Sequence, residues 1–313
     1  MVNAFIQERE LFPSIMPFQS GFLSRNKHEI YYEQCGNCSD QPVLFLHGGP
    51  GAGISSAHRR LFDPNRFHVV LFDQRGCGQS RPFASLDENS TDMLIGDIEA
   101  LRQSLKIDKF ILFGGSWGST LALAYAIAYP ENVNGLILRR IFLGTRLEVD
   151  WFLNDMGQFF PEAYERFIDH VDPEERVDLL SSYFNRLVNS NPEVHQKAAE
   201  AWASYETSCS TLRAGHRYMA GTGALTMARI EAYYFINDCF MPENHIMDNI
   251  RRIAHLPAII VQGRHDVICP PATAYKLAAK WGEKAKLQII DAAGHSTFES
   301  GIAHALMAAL EEI

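Results

Sequence analysis

Short apolar runs bounded by turn-forming residues recur at both ends of the chain. Residues 29–34 (EIYYEQ) read as a strand. After a polar turn come 43–46 (VLFL), 67–72 (FHVVLF), 109–113 (KFILF) and 133–138, each the length of a buried strand. Two helical stretches lie among them. Residues 91–106 place Leu94, Ile98, Leu101 and Leu105 on one face, with Ser90 or Thr91 as the cap. Residues 116–129 are rich in Ala and Leu and stop at Pro130. Strand-like runs return at 258–261 and 287–290, with helices expected near 271–281 and 298–310. Strands alternating with helices predict an α/β fold with a mostly parallel sheet covered on both faces. From 141 to about 245 the pattern turns helical, with many aromatics and mixed charge. The simplest organisation is one catalytic α/β domain, 1–140 and 246–313, interrupted by a helical cap domain, 141–245.

Composition narrows the class. With 313 residues, 47% of them hydrophobic, the chain buries a sizeable core without disulfides or metals. A net charge of −9, from 28 basic and 37 acidic residues, argues against nucleic acid or an anionic membrane as partner. The longest strongly apolar run, near 121–129, is about half of what a bilayer needs. The first ten residues, MVNAFIQERE, hold no apolar stretch typical of a secretory signal, so a cytoplasmic enzyme is expected. The six cysteines do not form a disulfide scaffold. Cys35-Gly36-Asn37-Cys38 lies in a Gly/Asn/Ser/Asp-rich turn with no second ligand pair after it, which predicts two reduced thiols rather than zinc.

The chemistry starts at Gly114-Gly115-Ser116-Trp117-Gly118, a G-x-S-x-G turn between an expected strand and an expected helix. That context holds a serine hydroxyl exposed at the sheet's C-terminal edge. A serine needs a base. His295, in the loop after 287–290, is expected to supply it, ahead of His304, His255 and His245. The orienting acid should follow the preceding strand, where Asp266 stands; Asp291 is the rival. Two backbone N–H groups should hold the oxyanion: that of Trp117, and one from His47-Gly48-Gly49-Pro50-Gly51, with Gly49 favoured over Gly48. Neither this loop nor Gly76-Cys77-Gly78 has the spacing of a nucleotide-binding loop.

Taken together, HGGPG (47–51), DQRGCGQS (73–80), GGSWGS (114–119), GRHDVICPP (263–271) and AGH (293–295) resemble the proline iminopeptidase (prolyl aminopeptidase) family. The resemblance runs through nearly the whole chain. It implies an α/β-hydrolase fold and a serine exopeptidase that releases N-terminal proline from small peptides, with no metal or cofactor. One departure is Arg139-Arg140-Ile141-Phe142, where the family usually reads Arg-Gly-Ile-Phe; the extra arginine stands beside the expected substrate chamber. Glu206 and Glu231 match the family's amine-binding positions, and the aromatics around them argue for burial. Phe235 lies one helical turn after Glu231 and on its face. It is expected to wall the proline ring, with Phe142, Phe152 and Cys269 as further pocket residues. The nearest alternative is a carboxylesterase or another small-acyl hydrolase on the same fold.

Overall fold

The apolar runs pair into one sheet. In the computed structural model, which describes residues 10–213 and 218–313, eight strands are present: β1 (Gln19–Arg25), β2 (His28–Gly36), β3 (Gln41–Leu46), β4 (Phe67–Phe72), β5 (Phe110–Ser116), β6 (Val133–Ile141), β7 (Ala258–Gly263) and β8 (Ala285–Ile290). Residues 1–9, which carry most of the reading that no secretory signal is present, lie outside the described residues. The spatial order is β1-β2-β4-β3-β5-β6-β7-β8. The β1–β2 and β2–β4 pairs are antiparallel, and every later pair is parallel. β1 has no counterpart in the apolar pattern: QSGFLSR is an edge strand with few large apolar residues and partial exposure throughout.

Successive strand residues face opposite sides, so the sheet feeds two cores. Leu44, Val70, Leu112, Leu138 and Ile260 pack on one side, under helices α2 (Thr91–Ser104), α3 (Trp117–Ala128) and α10 (Pro271–Trp281), with the four-residue α1 (Ser56–Arg59) lying before β4. Phe45, Leu71, Phe113 and Val261 pack on the other, against Leu306 and Leu310 of the C-terminal helix α11 (Ser300–Glu312). Helix α3 is buried on all sides except at its last residue, as an apolar stretch with no polar face must be.

Between β6 and β7 the chain forms α4 (Arg146–Asp150), α5 (Pro161–Ile168), α6 (Leu179–Leu187), α7 (Pro192–Cys209), α8 (Gly221–Ile236) and α9 (His245–Asn249). Aromatic rings hold these helices together. Phe167 stacks on Tyr183 at 4.5 Å and on Tyr205 at 4.6 Å, and Trp202 meets Phe152 at 5.5 Å. This cluster is continuous with the core above the sheet, so the helical segment is packed onto the strands rather than tethered beside them. Among the described residues no helix is long and apolar enough to cross a membrane. All six cysteines are free; Cys35, next to last in β2, is buried, while Cys38 lies exposed in the following turn.

Candidate active site

Strand β5 ends at Ser116 and helix α3 begins at the next residue. Ser116 has φ 57° and ψ −130°, a strained conformation for a side-chain-bearing residue. The chain passes so closely here that a Cβ on Gly114 would lie 2.2 Å from the Gly118 carbonyl oxygen, and one on Gly118 2.1 Å from that of Leu46. These contacts explain the glycines two residues either side of the serine. Ser119 Oγ donates to the Ser116 carbonyl at 2.7 Å and pins the turn.

Asp266 and His295 come together from the loops after β7 and β8, with Nδ1 2.9 Å from both Asp266 oxygens. The carboxylate is fixed by backbone N–H groups of Ile268 (3.1 Å) and Cys269 (2.9 Å) and by Gln262 Nε2 (3.3 Å). Both residues are buried. Burial lowers the His295 pKa, and the Arg140 cation lowers it further against the pull of Asp266. A neutral ring with its Nδ1 proton toward Asp266 leaves Nε2 as a base. The rival Asp291 points outward, with its side chain 87% exposed and 3.4 Å from Arg264. Ser116 and His295 line one cavity. Ser116 also borders the neighbouring cavity, together with Cys269.

The Trp117 N–H opens α3 and is one of the helix's free N-terminal donors. Gly49 borders Ser116 in both cavities of the cleft, and Gly48 packs on it: a Cβ there would lie 3.4 Å from Ser116 Cβ. A residue the sequence did not flag joins these parts. Gln74 accepts from the Trp117 indole at 2.8 Å and donates to the His47 carbonyl at 2.9 Å, tying the glycine loop to the serine turn. Among the described residues the one cluster with metal-like spacing is His47, Asp73 and Cys77. Its ligand atoms are already engaged. His47 Nε2 accepts from the Gln74 N–H at 3.0 Å, and Asp73 accepts from Ile54 (2.7 Å) and Gln79 (2.8 Å). Burial pushes the Cys77 thiol well above its ordinary pKa, so the group serves as a backbone brace.

Glu206 on α7 and Glu231 on α8 are buried, 8% and 3% exposed, where two charged carboxylates would be expected to seek water. They hydrogen-bond each other, and Trp202 Nε1 donates to Glu231 Oε2 at 2.6 Å. Glu206 Oε2 is enclosed with no partner. Desolvation raises the Glu206 pKa to about 7, and desolvation with the neighbouring Glu206 charge raises Glu231 well above its ordinary value. Burial and the adjacent Glu206 carboxylate thus both favour the protonated form of Glu231. Beside the pair, Phe142, Phe152, Phe235 and Cys269 wall a narrow slot that reaches Ser116. Phe235 lies 5.9 Å from Phe142 and 5.7 Å from Phe152. Glu148 also lines the slot, but its carboxylate is spent on the Leu143 and Thr145 N–H groups.

On the other side of Ser116 opens a cavity of 190 Å³ bounded by His58, Arg139, Arg140, Thr207, Ser210 and Thr297 among others. The larger 330 Å³ cavity lined by Arg166, His170, Lys197 and Glu200 lies between helices α5 and α7 and shares no lining residue with this cleft.

A family model described as alpha/beta hydrolase fold matches residues 41–302. A probable proline iminopeptidase of Leptolyngbya boryana is 45% identical over 97% of this chain and 96% of its own. The proline iminopeptidase of Arabidopsis thaliana is 44% identical over 99% of this chain and 84% of its own. Among solved structures, an alpha/beta hydrolase fold protein from Burkholderia ambifaria superposes with a TM-score of 0.64 at 18% identity, covering 96% of this chain and all of its own. A proline iminopeptidase from Mycobacterium smegmatis does so at 0.61 and 16% identity, covering 94% and 98%. The two structures share the fold at low identity, while the sequence relatives are alike over almost their whole length; the chain belongs to the proline iminopeptidase family, within the alpha/beta hydrolases.

Proposed function

We propose that this chain is a serine aminopeptidase that releases proline from the free N-terminus of small peptides. Glu206 and Glu231 receive the prolyl ammonium, whose two N–H groups suit one carboxyl oxygen each. A proton held by the carboxyl pair is released to solvent as the cation takes its place. Phe142, Phe152 and Phe235 enclose the ring, with Cys269 at its edge. Ser116, deprotonated by His295, attacks the prolyl carbonyl. The N–H groups of Gly49 and Trp117 stabilise the oxyanion. His295 then protonates the leaving amine, and water, activated by the same imidazole, hydrolyses the prolyl-enzyme. No step calls for a metal or cofactor.

The observation that carries this reading is the buried Glu206–Glu231 pair with an unpartnered oxygen beside Ser116. A carboxylesterase has no use for two desolvated carboxyl groups next to its acyl site. We further propose that residues 141–245 act as the cap of a catalytic unit formed by 1–140 and 246–313, and that the protein works in the cytoplasm, where six free thiols stay reduced. The test is hydrolysis of a prolyl arylamide beside its N-acetylated form. Only the unblocked substrate should turn over, and Ser116→Ala should abolish that turnover. Equal rates on the two would reduce the assignment to a generic acyl hydrolase.

A further inference from the structure

We propose that Arg140 makes the leaving-group side of the cleft a carboxylate-binding subsite, so that substrates with a carboxylate one residue beyond the scissile bond are favoured. The inference deepens the peptidase reading above and rests on it. Along the β5–β6 pair, Gly115 is opposite Arg139 and Ser116 opposite Ile141, so Arg140 is the extra residue of a bulge at the level of the nucleophile. Its φ of 51° lies in the left-handed region that glycine occupies most easily. A long cationic side chain is thus held in a strained position beside the reacting atoms, the kind of place where strain marks function.

The guanidinium is also short of partners. Nη2 donates to Thr297 Oγ1 at 3.1 Å, while Nε is enclosed with none. Among the described residues Arg140 forms no ion pair, although Asp266, Glu206 and Glu299 all act on its charge. Asp266 is engaged by His295 and two backbone N–H groups. Glu299 accepts from the N–H groups of Leu212 (2.8 Å) and Gly294 (2.6 Å). Arg139 is nearby but only 2% exposed and lies under the serine turn, where a Cβ on Gly115 would come within 2.5 Å of it. Arg140 is the more open of the two.

Direction follows from His295. It borders the 190 Å³ cavity but not the apolar slot, and it is the acid that protonates the departing amine, so the leaving residue enters that cavity. Glu206, with an unpartnered oxygen, borders both the slot and this cavity, while Arg140, with an unpartnered nitrogen, borders this cavity alone; Arg139, whose Nε and Nη1 are also unpartnered, is the more deeply buried of the two arginines. That arrangement complements a zwitterion one peptide bond long. The carboxylate comes either from the C-terminus of a dipeptide or from an acidic side chain in the leaving residue.

The test measures kcat/KM for Pro-Gly against Pro-Gly-NH2 and for Pro-Asp-NH2 against Pro-Asn-NH2, in the wild type, Arg140→Gly and Arg140→Lys. The first pair reports a terminal carboxylate and the second a side-chain one. At least one acid-to-neutral ratio should be about 10 in the wild type, the scale of one charge-assisted hydrogen bond. That ratio should fall to about 1 in Arg140→Gly and survive in part in Arg140→Lys. Because each ratio is taken within one enzyme, changes in folded fraction or overall rate cancel. Ratios near 1 for both wild-type pairs, with proline still released, overturn the subsite and leave the peptidase standing. A raised ratio that Arg140→Gly does not lower overturns it as well. Release of proline from none of the four peptides defeats the peptidase reading beneath it.

Discussion

Removing one charge from the buried carboxyl pair should cost activity and raise stability. The perturbation is Glu206→Gln, which keeps the shape and the hydrogen-bond acceptor. In the folded chain burial raises Glu206 from 4.5 to about 7. A carboxyl whose folded pKa lies above its unfolded one binds its proton more tightly when folded. Its stabilising contribution is complete below about pH 4.5 and is lost as pH rises through 7. At about 1.4 kcal/mol per unit, the loss at pH 8 is about 3 kcal/mol relative to a neutral side chain. For 313 residues the unfolding entropy is about 0.7 kcal/mol/K, so the variant's Tm should exceed that of the wild type by about 5 °C at pH 8. The difference should shrink toward zero near pH 4.5. Thermal melts by circular dichroism across that range, with kcat/KM on a prolyl arylamide alongside, give both readouts. Catalysis should drop by about 3 kcal/mol, or on the order of 150-fold, since the substrate cation loses its partner. A variant that melts lower than the wild type at pH 8, or whose Tm offset does not change with pH, would refute the argument that this carboxylate is held against its own desolvation.

The same ionisation sets the pH profile. Glu206 must be charged, and the amine protonated with an ordinary pKa of about 8, so kcat/KM should rise toward about pH 7 and fall beyond about pH 8; an acid limb that persists unchanged in Glu206→Gln would assign it to another group. Gln262 is fully buried, donates to Asp266 Oδ2 and the Cys269 carbonyl, and accepts from the Ile141 N–H. Gln262→Leu should lower stability by about 1–3 kcal/mol and kcat by roughly tenfold, more than it raises KM, because Gln262 braces Asp266 directly and the slot only through the Cys269 and Ile141 backbone; a rise in KM as large as the fall in kcat would show that the substrate pocket had moved instead.

The parts of the site legible in the sequence are those built by local rules. Ser116 stands out as a candidate nucleophile because a strand, a tight glycine turn and a helix are consecutive in the chain. Asp266 and His295 stand out as its candidate partners because each follows an apolar run, β7 or β8. The braces were not legible. Gln74 and Gln262 are single polar residues near or within strands, and their partners Trp117 and Ile141 lie 43 and 121 positions away. The Trp202–Glu231 bond spans 29 positions and exists only once α7 packs on α8. Glu206 and Glu231 were picked out by family resemblance, since a glutamate on a helix is ordinarily solvated. The apolar run of β6 ends at Leu138, but the strand continues to Ile141 because Arg139 and Arg140 occupy positions below and beside the serine turn.

The burial of the carboxyl pair also explains why the cleft should act on termini rather than on internal proline. A proline preceded by another residue has no N–H on its nitrogen and no charge. Placed in the slot, it would leave the Glu206–Glu231 pair desolvated and unanswered. Rejection by an unpaired buried charge is worth several kcal/mol. Discrimination by ring size is weaker. Three ring methylenes at roughly 0.8 kcal/mol each give about 2.4 kcal/mol, on the order of 60-fold in kcat/KM. The free amine is therefore the strict requirement and the proline ring the leaky one, because the first is read by charge in a dry site and the second only by contact area.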